Sequence, residues 1–391
     1  MSATDLDVII IGAGIAGASV AAQLSRDARI AVLEQESQPG YHTTGRSAAI
    51  FSEIYGNAQI RALSRASRAF FLDPPAGFSD VPLVGKRGSL FVARPDQLDR
   101  LDAFAALPEV AGATERLSAH AARELVPILR EGHVGAALHE SAASDMDVHA
   151  LLHGYLRRMR HHDGKLVTDA AVLGVARVGD RWRVHTTAGT FNAPVVVNAA
   201  GAWVDRIAAL AGAEPIWIEP LRRTAALVDA PAGFEISAWP MVIDIDEQFY
   251  FKPDAGKILL SPADETPSPP CDAMPADWDV AVAVDRVETA TTLKIAHVRH
   301  KWAGLRCFVP DRSPVVGYDP VLPGFFWLAA LGGYGIQTSP AMGRLAAALV
   351  LERQPPDDML AMGLDLAALA PERLPSRQAA QPAYPDWQDQ R

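Results

Sequence analysis

A glycine-rich turn between two apolar runs constrains the fold more than any other part of this chain. Val8 to Ile11 is followed by GAGIAG (12–17), an amphipathic helix pattern and a second apolar run that ends at Glu34. Gly12 permits a tight turn, Gly14 lets the backbone approach a pyrophosphate, and Gly17 lets the helix pack closely on the strand. The first N–H groups of that helix attract phosphate, and Glu34 can accept hydrogen bonds from ribose hydroxyls. The pattern predicts a βαβ unit that binds an ADP-containing cofactor.

Composition narrows the class of protein. A chain of 391 residues is long enough for two domains, and its net charge of −10 argues against nucleic-acid binding. No apolar run reaches the roughly 18 residues of a membrane span. Two cysteines, Cys271 and Cys307, form neither a disulfide framework nor a metal site. The first strand pattern begins too early to leave room for a signal peptide, so we expect a cytoplasmic protein, with peripheral contact at the inner membrane left open.

The glycine-rich turn has two counterparts further along the chain. Apolar strand patterns followed by a glycine loop and a helix occur at 8–27, 195–210 and 325–351, with the last helix expected from about 341. Residues 47–71 are typical of a helix, whereas 262–285 are rich in Pro and Asp and predict a loop. Three such units indicate a cofactor that is gripped along its whole length rather than a simple nicotinamide site.

Six segments carry a resemblance to a known family: GAGIAG, HTTGRSAA (42–49), VVVNAAGAWVD (195–205), YFKPDAG (250–256), WAGLRCF (302–308) and GFFWLAALGGYGIQTSPAMG (324–343). Together they resemble the D-amino-acid oxidase/glycine oxidase superfamily of FAD-dependent amine oxidoreductases, over about residues 5–372. Within it the chain is most similar to the bacterial D-arginine dehydrogenase type.

The resemblance implies an α/β fold with two domains. A Rossmann-like FAD-binding domain of the glutathione reductase type is expected from 1–83, 145–214 and 303–373. A sheet-rich α+β substrate domain is expected from 84–144 and 215–302, and 374–391 are expected to form a disordered tail.

The implied chemistry is oxidation of a C–N bond. The α-hydrogen of a D-amino acid moves as hydride to flavin N5, and the imino acid hydrolyses to a 2-oxo acid and ammonia. The reduced flavin then passes its electrons to a quinone or to O2. Alignment places the attachment cysteine of covalent relatives at Gly304 rather than Cys307, so FAD is expected to be non-covalent.

The resemblance also assigns the residues that would hold FAD. They belong to the first glycine turn, the end of the second strand, the HTTGRSAA turn and the two later glycine loops. The predicted cofactor residues are Gly12, Gly14, Ile15, Ala16, Gly17, Glu34, Gln35, Thr43, Thr44, Gly45, Arg46, Ser47, Ala200, Gly201, Trp203, Gly332, Gly333, Tyr334, Gly335, Ile336, Gln337 and Thr338.

Substrate residues are assigned in the same way. Arg306 is expected to bind the substrate carboxylate, because a guanidinium fork matches a carboxylate bidentately. Arg223, Tyr250 and Tyr55 are the other predicted catalytic residues, although Arg222 lies next to Arg223 and could be confused with it. The predicted specificity residues are Ser89, Ile50, Gly304 and Gly333.

Two of these positions depart from the D-arginine type. That type has a glutamate where this chain has Ser89 and a histidine where it has Ile50. Serine cannot supply the charge that pairs with a cationic side chain, a loss of roughly 1.5–3 kcal/mol. We therefore expect a substrate with a neutral side chain.

Other functions remain open at this point. The same scaffold could oxidise an N-methyl or cyclic amino acid or a 2-hydroxy acid, because the retained arginines and tyrosines suit any carboxylate. A flavin-binding protein without catalysis and a nicotinamide-dependent dehydrogenase are alternatives of other classes.

Overall fold

The computed structural model describes residues 4–374. Its strands are β1 Thr4–Asp5, β2 Val8–Ile11, β3 Ile30–Leu33, β4 Ile50–Phe51, β5 Val84–Lys86, β6 Ser89–Ala93, β7 Glu115–Ser118, β8 Ala136–Glu140, β9 Ser144–Met146, β10 Lys165–Val167, β11 Val172–Val178, β12 Arg181–Thr186, β13 Gly189–Ala193, β14 Val195–Asn198, β15 Glu219–Asp229, β16 Met241–Asp244, β17 Tyr250–Asp254, β18 Lys257–Ser261, β19 Thr266–Pro267, β20 Val298–Phe308, β21 Val315–Tyr318 and β22 Phe325–Ala329. Its helices are α1 Ile15–Leu24, α2 Ala58–Leu72, α3 Leu98–Ala105, α4 Pro108–Ala111, α5 Ala119–Leu125, α6 Val148–His161, α7 Val204–Ala211, α8 Asp277–Ala290, α9 Gly335–Val350 and α10 Asp357–Ala361.

A six-stranded sheet in the order β10-β3-β2-β14-β22-β21 forms the cofactor half of the molecule. Its strands are parallel except β21, which runs antiparallel to β22. Every residue of β2 and β3 is buried, because α1, α6 and α9 cover one face of the sheet while α7 and the β11–β13 meander cover the other. The carboxyl ends of β2, β14 and β22 therefore lie side by side at one edge.

A nine-stranded sheet forms the other half. Its main path runs β19-β15-β18-β17-β16-β6-β8-β7, and β20 pairs with β15 along most of its length. In this pairing Leu221 lies opposite Arg306 and Arg223 lies opposite Gly304. Helices α5 and α8 pack on one face, and α3 and α4 pack on the other. The predicted fold class, a Rossmann-like sheet with a second sheet-rich part, is confirmed, whereas the domain boundaries stay a prediction.

Three expectations about elements were wrong. Residues 47–57 are not helical: Gly56 has φ +90°, and Asn57 caps α2 by accepting the N–H of Ile60, so the helix begins at Ala58. The Pro- and Asp-rich stretch ends in α8, because Val280, Ala283 and Val287 form an apolar stripe that packs on the sheet.

The last helix, α9, begins at Gly335 rather than near 341, with Pro340 inside it. Proline cannot donate to the carbonyl four residues earlier, that of Ile336, but the Ser339 hydroxyl donates to that oxygen instead at 2.9 Å. The proline therefore does not end the helix.

Two further points concern the chain ends and membranes. Apart from Leu374, the predicted tail at 374–391 lies outside the described residues. Within residues 4–374, no helix combines the length and apolarity needed to cross a bilayer.

Candidate active site

Three loops meet at the carboxyl edge of the parallel sheet and enclose a cavity. The loops follow β2, β14 and β22, and their first residues are Gly12, Ala199 and Ala330. Ligands of open α/β sheets bind at this edge, where the strand order reverses. The three strand–glycine loop–helix units of the sequence thus converge on one site.

The glycines of the first loop are required by close backbone contacts. Gly12 has φ +102°, and a Cβ there would lie 2.5 Å from the carbonyl oxygen of Ala199. A Cβ on Gly17 would overlap the carbonyl oxygen of Gly12, so α1 could not pack against the turn. These positions fit a cradle in which backbone N–H groups face a pyrophosphate.

The space at this edge consists of three adjoining cavities, and Glu34 lines the outer one, together with Gly12 and Gly14. Its carboxylate accepts the N–H of Ala13 at 2.8 Å and that of Glu36 at 3.0 Å, and burial raises the pKa of Glu34. Nearby, the rings of His42 and Trp203 pack with centroids 4.6 Å apart and line the same space. An adenosine fits here chemically, because the wall offers a carboxylate for hydroxyls and flat apolar surface for a base. The ribose contact of Glu34 stays a prediction.

The HTTGRSAA turn links this cavity to the next. Thr43–Arg46 form a 3₁₀ turn, in which the Thr44 hydroxyl oxygen accepts the N–H of Ile15 at 3.0 Å. The Thr43 hydroxyl donates to the carbonyl oxygen of Leu305 at 2.8 Å, and the Arg46 guanidinium bonds Asp272 and three backbone carbonyls. The turn is therefore held between α1 and β20, which gives the cofactor a fixed wall.

The middle cavity extends along this turn to the start of α9. Its walls include Gly14, Ile15, Thr44, Ser47 and Gly332 to Ile336 except Tyr334. The N–H of Gly332 donates to the carbonyl oxygen of Cys307 at 3.0 Å, so the last glycine loop is fixed against β20. Helix α9 begins at this wall, and its N-terminus can stabilise negative charge on a bound flavin ring.

The innermost cavity contains the predicted substrate residues. Tyr55, Tyr250, Arg306, Ser89, Ile50 and Gly333 all line it. Tyr250, Arg306 and Gly333 also line the middle cavity, so the two spaces are continuous. The predicted substrate residues thus lie next to the predicted cofactor space.

Arg306 is the charged group of this cavity that lacks a carboxylate partner. Its Nη1 donates to the Tyr55 hydroxyl at 3.3 Å, and no Asp or Glu oxygen of the described residues lies within 4.0 Å of it. A Cβ on Gly333 would lie 2.6 Å from Cζ of Arg306, so the glycine makes room for the guanidinium. A partly buried guanidinium in this state is a ready anion-binding group.

The structure separates Arg223 from Arg222. Arg223 is 7% exposed, lines the middle cavity and bonds the carbonyl oxygen of Asp264 at 2.7 Å and Glu265 at 3.2 Å. Arg222 pairs instead with Asp279 on α8 at 2.8 Å. Arg223 is thus near the site, but its charge is already paired with Glu265.

A buried carboxyl lies behind Ser89, where the sequence predicted none. Glu140 on β8 is directly opposite Ser89 on β6, and Oε2 of Glu140 accepts from the hydroxyls of Ser89 at 2.8 Å and Ser52 at 2.7 Å. Burial raises the pKa of Glu140 to about 7. Strand pairing thus places a carboxyl behind Ser89 from a residue 51 positions away, while the predicted lack of a charged group at position 89 itself stays a prediction.

Most predicted cofactor residues line the outer or middle cavity. Five do not, Gln337 among them: Gly17 supports helix packing, Gly45 faces another groove, Tyr334 packs on Tyr55, and Thr338 donates to the carbonyl oxygen of Tyr334. Gln337 lines the innermost cavity rather than the cofactor space, and Gly304 lines the middle one. Sequence reasoning missed other wall residues of the innermost cavity, namely Ser52, Phe91, Met241, Ile243 and Glu247.

Cys307 lies in the wall of the middle cavity, but its thiol has little nucleophilic reactivity. It is 7% exposed, and burial raises the pKa of its thiol to about 12. A thiolate, the reactive form, is therefore scarce at neutral pH.

Comparison of the sequence with known proteins identifies the family of this chain. The model of the DAO family, described as FAD dependent oxidoreductase, matches residues 7–349. The uncharacterized oxidoreductase YurR of Bacillus subtilis is 27% identical over 88% of this chain and 95% of its own. The 4-methylaminobutanoate oxidase (formaldehyde-forming) of Paenarthrobacter nicotinovorans is 26% identical over 96% of this chain, which spans 46% of that longer protein.

A solved structure supports the fold. The glycine oxidase of Geobacillus kaustophilus superimposes with a TM-score of 0.79 at 22% identity, over 90% of this chain and 96% of that one. At this identity the likeness concerns the fold alone.

Proposed function

Because this chain belongs to the DAO family of FAD-dependent oxidoreductases, we propose that it oxidises the C–N bond of a D-amino acid with a neutral side chain. The imino acid product hydrolyses to a 2-oxo acid and ammonia. FAD, when bound, would supply the two-electron oxidation. The protein's own residues bind the substrate, orient its α-carbon and exclude water.

The observation that carries this proposal is the guanidinium of Arg306 without a carboxylate partner. It lies where the innermost and middle cavities meet, so a carboxylate bound to it would place the neighbouring α-carbon beside the flavin space. A bidentate, charge-assisted pair would also fix the orientation of the substrate.

Two tyrosines support the same orientation. The Tyr55 hydroxyl accepts from Arg306 at 3.3 Å and donates to Oε2 of Glu247 at 3.4 Å, so it holds the guanidinium that would bind the carboxylate. Tyr250 is 6% exposed and lines both cavities. We assign them to holding the carboxylate, and Arg223 to the electrostatics of the cofactor side.

The neutral side chain follows from the remaining walls. Ile50, Phe91, Met241, Ile243 and Ile336 give the innermost cavity a mainly apolar lining. Glu247 is the acidic side chain in this lining, and its Oε2 accepts from the Tyr55 hydroxyl at 3.4 Å. Although this chain resembles the D-arginine dehydrogenase type, Ser89 and Ile50 replace the two polar residues that such a substrate uses. The Glu140 carboxyl lies behind serines rather than in the wall, so it offers a cation no direct ion pair.

Anaerobic bleaching of the flavin with a substrate panel tests the proposal. We expect neutral D-amino acids to bleach the purified holoenzyme faster than their L-enantiomers and faster than D-arginine. Admission of air then separates an oxidase, which recolours at once, from a dehydrogenase that needs a quinone. Faster bleaching by D-arginine or by L-amino acids would contradict the proposed substrate class.

A second candidate is an N-methyl or cyclic amino acid, or a 2-hydroxy acid. Arg306 would bind any of these carboxylates, and one relative is named for an N-methylated substrate. Sarcosine, D-proline and lactate in the same panel distinguish these substrates. A flavin that no compound bleaches would indicate the non-catalytic alternative.

We also propose that FAD is held non-covalently, in line with the buried, protonated thiol of Cys307. Acid precipitation of the protein should release all of the yellow colour into the supernatant.

A further inference from the structure

Ser52 and Ser89, with Glu140 behind them, form a polar patch in the wall of the innermost cavity. We call these three residues the serine wall. Ser52 follows β4, Ser89 lies on β6, and Glu140 lies opposite Ser89 on β8. Ser52 and Ser89 line the cavity, and all three residues are at most 2% exposed. Burying these groups among apolar side chains is costly unless their hydrogen bonds are complete.

The number of hydroxyl hydrogens fixes whether Ser52 and Ser89 can donate or accept toward the cavity. An ionised carboxylate only accepts, so each serine must donate its single hydroxyl hydrogen to Oε2 of Glu140. The other oxygen, Oε1, accepts the N–H of Glu53 at 3.0 Å. Each serine oxygen then keeps only lone pairs, so toward the cavity the serine wall can accept a hydrogen bond but cannot donate one.

The groups beside the serine wall also offer hydrogen-bond acceptors rather than donors to the cavity. The N–H of Ser52 is already used, since it donates to Oε1 of Gln337 at 3.2 Å, and Nε2 of Gln337 donates to Ser64. Gln337 also lines the cavity, and its side-chain oxygen is a further acceptor.

The charges around Glu140 leave its negative field largely uncompensated. No Lys, Arg or His nitrogen of residues 4–374 pairs with Glu140 within 4.0 Å. Glu53 is the carboxyl that faces it, and Glu53 is itself paired with Arg68 at 3.4 Å. Within the cavity the other charged groups are Arg306 and Glu247.

We propose that Ser52 and Ser89, held in orientation by Glu140, bind a hydrogen-bond donor in the substrate side chain. The preferred D-amino acid is then neutral but carries a hydroxyl or amide group rather than a plain hydrocarbon. This inference rests on the proposed function. Ser52 and Ser89 contact the substrate, whereas Glu140 is a positioning residue that acts through them.

Isosteric substrate pairs test the inference directly. D-threonine against D-valine, and D-homoserine against D-norvaline, exchange a hydroxyl for a methyl group at nearly constant shape. We expect the hydroxyl member of at least one pair to have a roughly tenfold higher kcat/KM, as for one hydrogen bond to a polarised acceptor. Ratios at or below one in both pairs would overturn the inference.

Substitutions in the serine wall test whether these residues cause the preference for a hydroxyl over a methyl group. Ser52→Ala and Ser89→Ala should each lower the hydroxyl-to-methyl ratio. Glu140→Gln should lower it as well, because a neutral amide polarises the serine oxygens less than a carboxylate does. Ser67→Ala is the matched control, since Ser67 is equally buried but bonds Leu63 and Ala341 and lines none of the three cavities. An unchanged ratio in both serine variants would overturn the proposal.

A pH profile separates positioning by Glu140 from a merely structural role. The pKa of Glu140 is raised to about 7 by burial. Below that pH the carboxyl is neutral and polarises the two serine oxygens less, so they are weaker acceptors and the hydroxyl-to-methyl ratio should rise between pH 6 and pH 8. The ratio in Glu140→Gln should be flat over this range, and a flat wild-type ratio would contradict the positioning role.

A binding measurement keeps the inference separate from the proposed reaction. The carboxylates 3-hydroxybutanoate and 3-methylbutanoate lack an amine, and their binding to the holoenzyme can be followed by the change in flavin absorbance. If no D-amino acid is oxidised, the proposed function fails, yet tighter binding of the hydroxy compound would still support the serine wall. Equal or weaker binding would overturn it.

Discussion

At the scale of single residues, the surroundings of an arginine decide what it can do. Arg222 and Arg306 both lie on paired strands, β15 and β20, and sequence alone gives them equal charge. Arg222 is neutralised by Asp279, whereas Arg306 contacts the Tyr55 hydroxyl and open cavity. The missing partner, rather than the residue type, therefore supports the proposed anion-binding role of Arg306.

Removal of Arg306 should weaken substrate binding strongly. Arg306→Ala loses a charge-assisted, bidentate contact, so we expect kcat/KM to fall about 10- to 100-fold, mainly through KM. Arg306→Lys should be intermediate, because it keeps the charge but loses the fork. Arg222→Ala, whose guanidinium points to Asp279, is the control and should keep wild-type kinetics. A wild-type KM in Arg306→Ala would refute the carboxylate role.

Glu140 should make stability depend on pH. Its pKa is raised in the fold to about 7, so the native state binds this proton more tightly than the unfolded chain. The free energy of unfolding should therefore fall as pH rises from about 4.5 to 7, by on the order of 3 kcal/mol from this group.

Urea unfolding at pH 5 and pH 8 measures this effect. Glu140→Gln should lose less stability across the range than wild type. Glu34, Glu53, Asp205 and Asp264, whose pKa values are also raised, are present in both proteins and do not affect the comparison. Equal pH slopes for the two proteins would show that Glu140 is not the source.

Sequence reasoning located one side of the substrate wall and missed the other. Ser89 and Ile50 were identified through resemblance, and both line the innermost cavity. Glu140 carries no motif, and it reaches Ser89 only through the antiparallel register of β6 and β8. Register is set by side-chain packing across the sheet, which the local pattern of either strand does not contain.

At the scale of elements, local chemistry predicted the cofactor strands well and helix ends poorly. The runs that form β2, β14 and β22 are continuously apolar because both faces of the sheet are covered, and such runs are visible in sequence. The start of α9 was missed because Pro340 normally marks a helix boundary. The hydroxyl of Ser339 replaces the lost hydrogen bond, and this compensation depends on a side-chain rotamer.

The packing of α1 on its own turn should fail if Gly17 gains a methyl group. In Gly17→Ala the new Cβ overlaps the carbonyl oxygen of Gly12, so the helix must move away from β2. We expect a loss of about 1–3 kcal/mol in stability and weaker retention of FAD. The ratio of flavin to protein absorbance after purification measures the second effect.

Gly174→Ala is the matched control for this variant. Gly174 lies on β11, and a Cβ there meets no atom within 4 Å. Full flavin content in both variants would contradict the assigned role of Gly17.

At the scale of the whole molecule, one continuous space connects parts of the chain that are far apart in sequence. The outer and middle cavities share Gly14, Thr43, Thr44, Ala199 and Gly201, which come from three separate segments. A cofactor bound there contacts all three at once. Its binding energy therefore stabilises the assembled fold rather than one local element.

Removal of FAD should consequently lower thermal stability. At a free FAD concentration 100 times Kd, binding contributes about 2.7 kcal/mol, which corresponds to a rise of several degrees in Tm. Differential scanning calorimetry of the apoprotein with and without FAD measures the shift. Riboflavin, which lacks the ADP part, should produce a smaller shift because it leaves the outer cavity empty, and an equal shift would contradict binding along the whole space.

The order of strands in the parallel sheet also matters while the protein is being made. β14 lies between β2, which ends at Ile11, and β22, which begins at Phe325, and both neighbours supply loops to the cofactor site. During synthesis β2 leaves the ribosome well before β22, so the site that needs both of their loops is complete only after β22 has been made. Until then the apolar strands of this sheet lack one of their neighbours.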